Sequence, residues 1–173
     1  MSEASSAASR LCAECGLCCN GVIFHTVRLQ PADSAKELAA LGLKLKRKKG
    51  ANYLLQPCPA FRGTHCAIYA ARPERCRLFE CRQLKRVAAG RITEAMALAK
   101  IREVQRLVEE VNGLLEKAGG TNAKRPLSKR CEKALAEPPA DEAAMQLQDR
   151  LKSATQQLDT LLDRDFRLTV EQV

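Results

Sequence analysis

The chain has 173 residues, 46% of them hydrophobic but only 3% aromatic with no Trp, and a formal net charge of +9. That length suits one ordinary domain or a small domain with an appendage, and no stretch approaches the ~18 apolar residues of a membrane span. Residues 1–10 are small and polar and lack the apolar core of a secretory signal, so a cytoplasmic setting is expected, where metal ligation outranks a disulfide framework for cysteines.

Eight of the nine cysteines lie in the first 81 residues, and they open with Cys12, Cys15, Cys18 and Cys19, written C-x2-C-x2-C-C. Thiolate is the soft ligand preferred by zinc, copper(I) and iron–sulfur clusters, so thiols at this density point to such a metal. C-x2-C fits one metal when a tight turn aims both sulfurs inward, and Gly16 tolerates the positive φ of that turn. Adjacent side chains diverge, so Cys18 and Cys19 are expected to serve different metals or a bridging arrangement.

Downstream, residues 31–42 begin with Pro31 and end with Gly42, the asymmetry of a short helix. Residues 43–55 predict a basic hairpin carrying Lys44, Lys46, Arg47, Lys48 and Lys49. With no aromatics interleaved for base stacking, that run reads as a solvated edge before a nucleic-acid surface. Cys58-Pro59 follows, then a short strand from Cys66 to Tyr69, then a helical turn from Arg72-Pro73 through Cys76 toward Phe79. Cys76 and Cys81 are five residues apart, about 140° around an unbroken helix. Either the helix ends near residues 78–80 or the two thiols bind different ions.

Beyond Gly90 the pattern becomes helical. Ala97, Ile101, Val104, Val108, Val111 and Leu115 form an apolar stripe over residues 93–117, closed by Gly119-Gly120. Residues 121–139 read as a Pro- and Lys-containing connection. A second stripe follows at Ala144, Leu147, Leu151, Ala154, Leu158 and Leu161, and the two helices are expected to fold against each other as an antiparallel hairpin.

The excess charge belongs to the cysteine-rich part. Residues 1–91 hold 16 Lys/Arg against 6 Asp/Glu, whereas residues 92–173 hold 13 against 14. Two explanations stand: compensation of anionic metal–thiolate sites and an anion-binding face. His25 and His65 are further candidate ligands, with ordinary surface roles preferred, and Cys131 reads as a bystander. There is no G-x-S-x-G, phosphate-binding loop or dinucleotide fingerprint, so a binding protein is favoured over an enzyme.

Cys12-x2-Cys15-Gly16-x-Cys18-Cys19, then Cys58-Pro59, then Cys66-x-Ile68-Tyr69-x2-Arg72-Pro73-x2-Cys76-Arg77-x-Phe79-x-Cys81 resemble the CxxCxxCC family. These are the YkgJ-like cysteine cluster proteins, described as zinc- or iron-chelating. The resemblance implies metal chelation by Cys12, Cys15, Cys18, Cys19, Cys58, Cys66, Cys76 and Cys81 in a mostly bacterial, cytoplasmic setting. Some larger relatives look like flagellin lysine N-methylases, which implies a modification enzyme; the alternative is therefore a component of a protein-modifying enzyme or, if the cluster carries electrons, of a redox enzyme. In motif terms Tyr69 and Phe79 are expected in the module's small apolar core, and Arg72 and Arg77 near the thiolates.

The expectation is an α+β, mostly helical chain: an irregular, metal-stapled cysteine module over residues 11–82, then a helical hairpin over residues 92–173. It binds zinc or iron, including a [4Fe–4S] cluster, in a structural or carrier-like role and without a membrane; nucleic acid is the less favoured partner.

Overall fold

A computed structural model describes residues 3–63, 65–120 and 122–168. The chain is α+β and about 55% helical, with small antiparallel sheets. It divides into two compact units, Met1–Glu80 and Cys81–Val173.

The first unit opens with α1 (Glu3–Cys15), followed by β1 (Thr26–Arg28), α2 (Ala35–Ala40), β2 (Leu45–Lys48) and β3 (Ala51–Leu55). Two short strands, β4 (Phe61–Arg62) and β5 (His65–Cys66), lead through a 3-10 turn (Tyr69–Ala71) to α3 (Glu74–Leu78). The helix expected over residues 31–42 is α2, capped at Ser34, whose hydroxyl accepts from the Glu37 N–H, and followed by Gly42 at φ +84°. The basic hairpin is β2 and β3, joined through Lys49 and Gly50, both at positive φ (48° and 78°), as a two-residue hairpin turn of primed type requires.

Strand β3 is central, antiparallel to β1 on one side and β2 on the other. Val27, Leu54 and Leu45 stand opposite one another across the three strands, so their side chains share one face. That face packs into a small core of Leu29, Leu38, Leu43, Leu54 and Ala60, against which Ile68, Cys58, Cys66 and Cys76 also lie. Tyr69, expected in this core, is instead 46% exposed. Its hydroxyl is hydrogen-bonded to Ser9 Oγ at 2.9 Å, and the Arg72 guanidinium stacks 3.6 Å above its ring. A phenol with both a hydrogen-bond partner and a cation over its face gains more at the rim than in an aliphatic core. Phe79 meets Phe24 edge-on at 4.8 Å between centroids.

The second unit is helical: α4 (Arg82–Ala88), α5 (Glu94–Lys117), α6 (Leu127–Ala136) and α7 (Glu142–Asp165). Both long helices begin as the stripes predict, with Thr93 and Asp141 side chains accepting from Met96 and Ala144 N–H. Lys100, near the start of α5, lies 3.8 Å from Asp165 at the end of α7, so the two packed helices run antiparallel. Their seam buries Ala97, Ile101, Val104, Val111 and Leu115 with Leu151, Ala154, Leu158 and Leu161, while Val108 is only half-buried. The connection expected over residues 121–139 contains a third helix, α6, which adds Leu127 and Cys131 to the core. The arrangement is thus more than a hairpin, because α4 also docks on the end of α7. The Arg82 N–H donates to the Phe166 carbonyl (3.0 Å) and Gln83 Nε2 to that of Asp165 (2.9 Å).

Candidate metal centre

The opening cysteine run is split between a helix end and a turn. Residues 3–15 are mostly Ala, Ser and Glu, which supports helix without an apolar period, and Cys12 and Cys15 occupy the last turn of α1. The helix stops at Gly16, whose φ is +63° and whose N–H still reaches the Cys12 carbonyl at 3.3 Å. Cys12 and Cys15, three apart, therefore share a helix face; a turn was expected at both. The Gly16 carbonyl then accepts from the N–H groups of Cys19 and Asn20, both at 2.9 Å, winding Cys18 and Cys19 into a tight turn.

Backbone bonds bring the distant cysteines to this turn. The Cys58 N–H donates to the Cys19 carbonyl at 2.7 Å, and the Phe61 N–H to the Cys58 carbonyl at 3.0 Å. Phe61 extends over Gly16 so closely that a Cβ there would collide with its ring. Cys66 on β5 stands opposite Phe61 on β4. Cys76 lies in α3, whose first turn is held by Asp33: one carboxylate oxygen accepts from the Glu74 N–H (2.8 Å), the other from the Gln30 N–H (2.7 Å). Sequence reasoning missed Asp33 and Phe61; only the Pro59-containing turn before Phe61 carried a local signal.

Of the two alternatives for Cys76 and Cys81, the helix break is found. Helix α3 ends at Leu78, Phe79 is extended, and Cys81 is the residue from which α4 starts in the second unit. His25 and His65 are both exposed, in or beside β1 and β5. Cys131 is 2% exposed within α6, and burial pushes its thiol above its ordinary pKa.

Electrostatics defines which thiols are gathered. Burial pushes the Cys19 thiol up to about 12, with further contributions from Cys58, Cys76, Cys66 and Cys12. Burial likewise pushes Cys76 up to about 11, reinforced by Cys58 and Cys66 and opposed by Arg72. Cys58 is raised by burial, with Cys66 adding to the shift. Four sulfurs from four separate segments, Cys19, Cys58, Cys66 and Cys76, thus lie within one another's field, with Cys12 at the edge. Among the described residues no three His, Cys, Asp or Glu side chains are closed to metal-ligand geometry. The donor chemistry fits zinc or iron: soft sulfur, half-buried, with Arg72 near enough to offset thiolate charge.

The family model CxxCxxCC, described as "Putative zinc- or iron-chelating domain", matches residues 11–111. The chain belongs to this family. The match runs beyond the cysteine segment through α4 and into α5, further than the residues that carry the sequence resemblance. No curated protein and no solved structure matches the chain.

Proposed function

We propose that this CxxCxxCC member binds zinc or an iron–sulfur cluster through its cysteines, in a structural or carrier-like role. The observation that carries the reading is the mutual field of Cys19, Cys58, Cys66 and Cys76, thiols from four segments, of which Cys58, Cys66 and Cys76 pack against one core and Cys19 is joined to Cys58 by a backbone hydrogen bond. These four form the proposed principal ligand set. Cys12, Cys15, Cys18 and Cys81 are added as ligands on the strength of the family motif. Thiols held protonated in the folded chain must lose their protons to bind, so the ion's charge supplies what desolvation opposes. The metal-binding module is proposed to span residues 11–82, and residues 92–173 to serve as its helical companion.

The test is a series of single Cys→Ser variants purified anaerobically and analysed for zinc, iron and sulfide. Cys19→Ser, Cys58→Ser, Cys66→Ser and Cys76→Ser are expected to lose most bound metal, and Cys131→Ser none. Equal loss from Cys131→Ser would overturn the ligand assignment.

A further inference from the structure

The face of the three-stranded sheet opposite the core has a composition of its own. Val27, Leu54 and Leu45 point into the core, so the next residues along each strand point the other way. In register across the sheet, Arg28 stands opposite Tyr53 and Tyr53 opposite Lys46. Tyr53 is half-exposed at the centre of this row, and both flanking cations are exposed. Lys48 lies two residues along β2 on the same face, and Lys44 directly precedes that strand on the same side. Neighbouring strands are about 4.8 Å apart, so each cation is one strand away from the ring.

No strand of this sheet carries an acidic residue. No Asp or Glu occurs in residues 15–32 or 38–73. Among the described residues, Arg28, Lys44, Lys46 and Lys48 form no ion pair, whereas cations of the second unit do: Lys100 with Glu103, Lys129 with Glu132, Arg167 with Asp163. A merely solvated basic face needs no aromatic at its centre. A half-exposed ring between unpaired cations on an open sheet is the arrangement that stacks a base while holding phosphates.

We infer that this sheet face binds single-stranded nucleic acid, Tyr53 stacking on a base while Arg28, Lys44, Lys46 and Lys48 hold the neighbouring phosphates. The inference stands apart from the metal reading, since none of these residues is a proposed ligand. The phosphates supply affinity that falls with salt. The ring supplies preference for unpaired bases, which a duplex keeps stacked inside.

The test uses the full-length, metal-loaded protein and fluorescence anisotropy with labelled 16-nucleotide oligo(U) and oligo(dT). A 16-base-pair DNA duplex, heparin and phosphatidylserine vesicles serve as competitors. Both oligonucleotides are expected to bind with an affinity that falls steeply between 50 and 200 mM salt, roughly as multiple phosphate contacts require. Preference for oligo(U) would assign the ribose hydroxyl a part, and equal binding would mean that base and phosphate suffice. Tyr53→Ala is expected to weaken binding about tenfold with its salt dependence unchanged, and Tyr53→Phe to restore it. The exposed double change Lys46→Gln with Lys48→Gln is expected to flatten the salt dependence. Absence of oligonucleotide binding at 50 mM salt would overturn the inference. So would equal affinity of wild type and Tyr53→Ala, or tighter binding to heparin, duplex or vesicles than to the single strands.

Discussion

Gly16 carries two constraints at once. Its φ of +63° is one that side chains disfavour, and a Cβ would run into the Phe61 ring. Gly16→Ala is expected to cost about 2 kcal/mol or more of stability, read as a lowered urea midpoint; an unchanged midpoint would mean that the ring moves aside freely. The gathered thiols give a pH dependence of definite sign. Cys19 and Cys76 titrate near 12 and 11 in the folded chain, against an ordinary value of 9.0. The folded state therefore holds protons that the unfolded state releases first. In chelator-stripped protein this contribution is full below pH 9 and is lost as pH rises toward 11 and 12. The urea midpoint should accordingly be higher at pH 7 than at pH 10, and a midpoint that rises with pH would contradict the burial of these thiols. Metal loading has the opposite preference, because each ligating thiol must give up a proton, so acidification should release metal. The positive φ of Gly16 was legible from its place after Cys15. Its collision partner Phe61 was not, and neither was Asp33, which holds a helix start 41 residues away; such contacts leave no local pattern.

At the scale of elements, the long helices were legible because burial imposes a period: the stripes from Ala97 and Ala144 coincide with α5 and α7. Helix α1 was not, since its Ala- and Ser-rich run has propensity without an apolar face. Helix α6, with only Leu127 and Cys131 buried, offered too short a stripe to be seen. The basic hairpin was found, but its relation to Tyr53 was hidden. Sequence order separates that ring from Lys46 by seven positions, whereas strand pairing sets them side by side. The seam supplies a sharp test. Val104 is 0% exposed in α5, and Val104→Asp buries a carboxylate with no partner. A loss on the order of 4 kcal/mol or more is expected, seen as collapse of the second unit's thermal transition by circular dichroism. Val108→Asp, at a half-buried position, should cost much less; equal effects would mean that the seam is misplaced.

Across the whole molecule, the two units differ in what organises them. The second buries an extended aliphatic seam and closes it with Asp165, which meets Arg86 at 3.3 Å and Arg164 at 2.9 Å. A fragment of residues 81–173, which keeps the α4 contacts to the end of α7, is therefore expected to stay helical in chelator; a random-coil spectrum would show dependence on the cysteine-rich unit. Among the described residues, the buried hydrophobic side chains of the first unit are all aliphatic: Leu29, Leu38, Leu43, Leu54 and Ala60 in one cluster, with Leu11, Leu17 and Val22 besides, each worth no more than about 3 kcal/mol. Chelation is expected to cost it most of its protease resistance. No helix among the described residues is long and apolar enough to cross a bilayer. The most direct check is elemental analysis of the anaerobically purified chain, run beside its Cys76→Ser variant. Zinc or iron should be present at one or more ions per chain in the wild type and largely lost in the variant. Purified, folded protein without stoichiometric zinc or iron, or a variant that keeps all its metal, would contradict a metal centre built on these thiols.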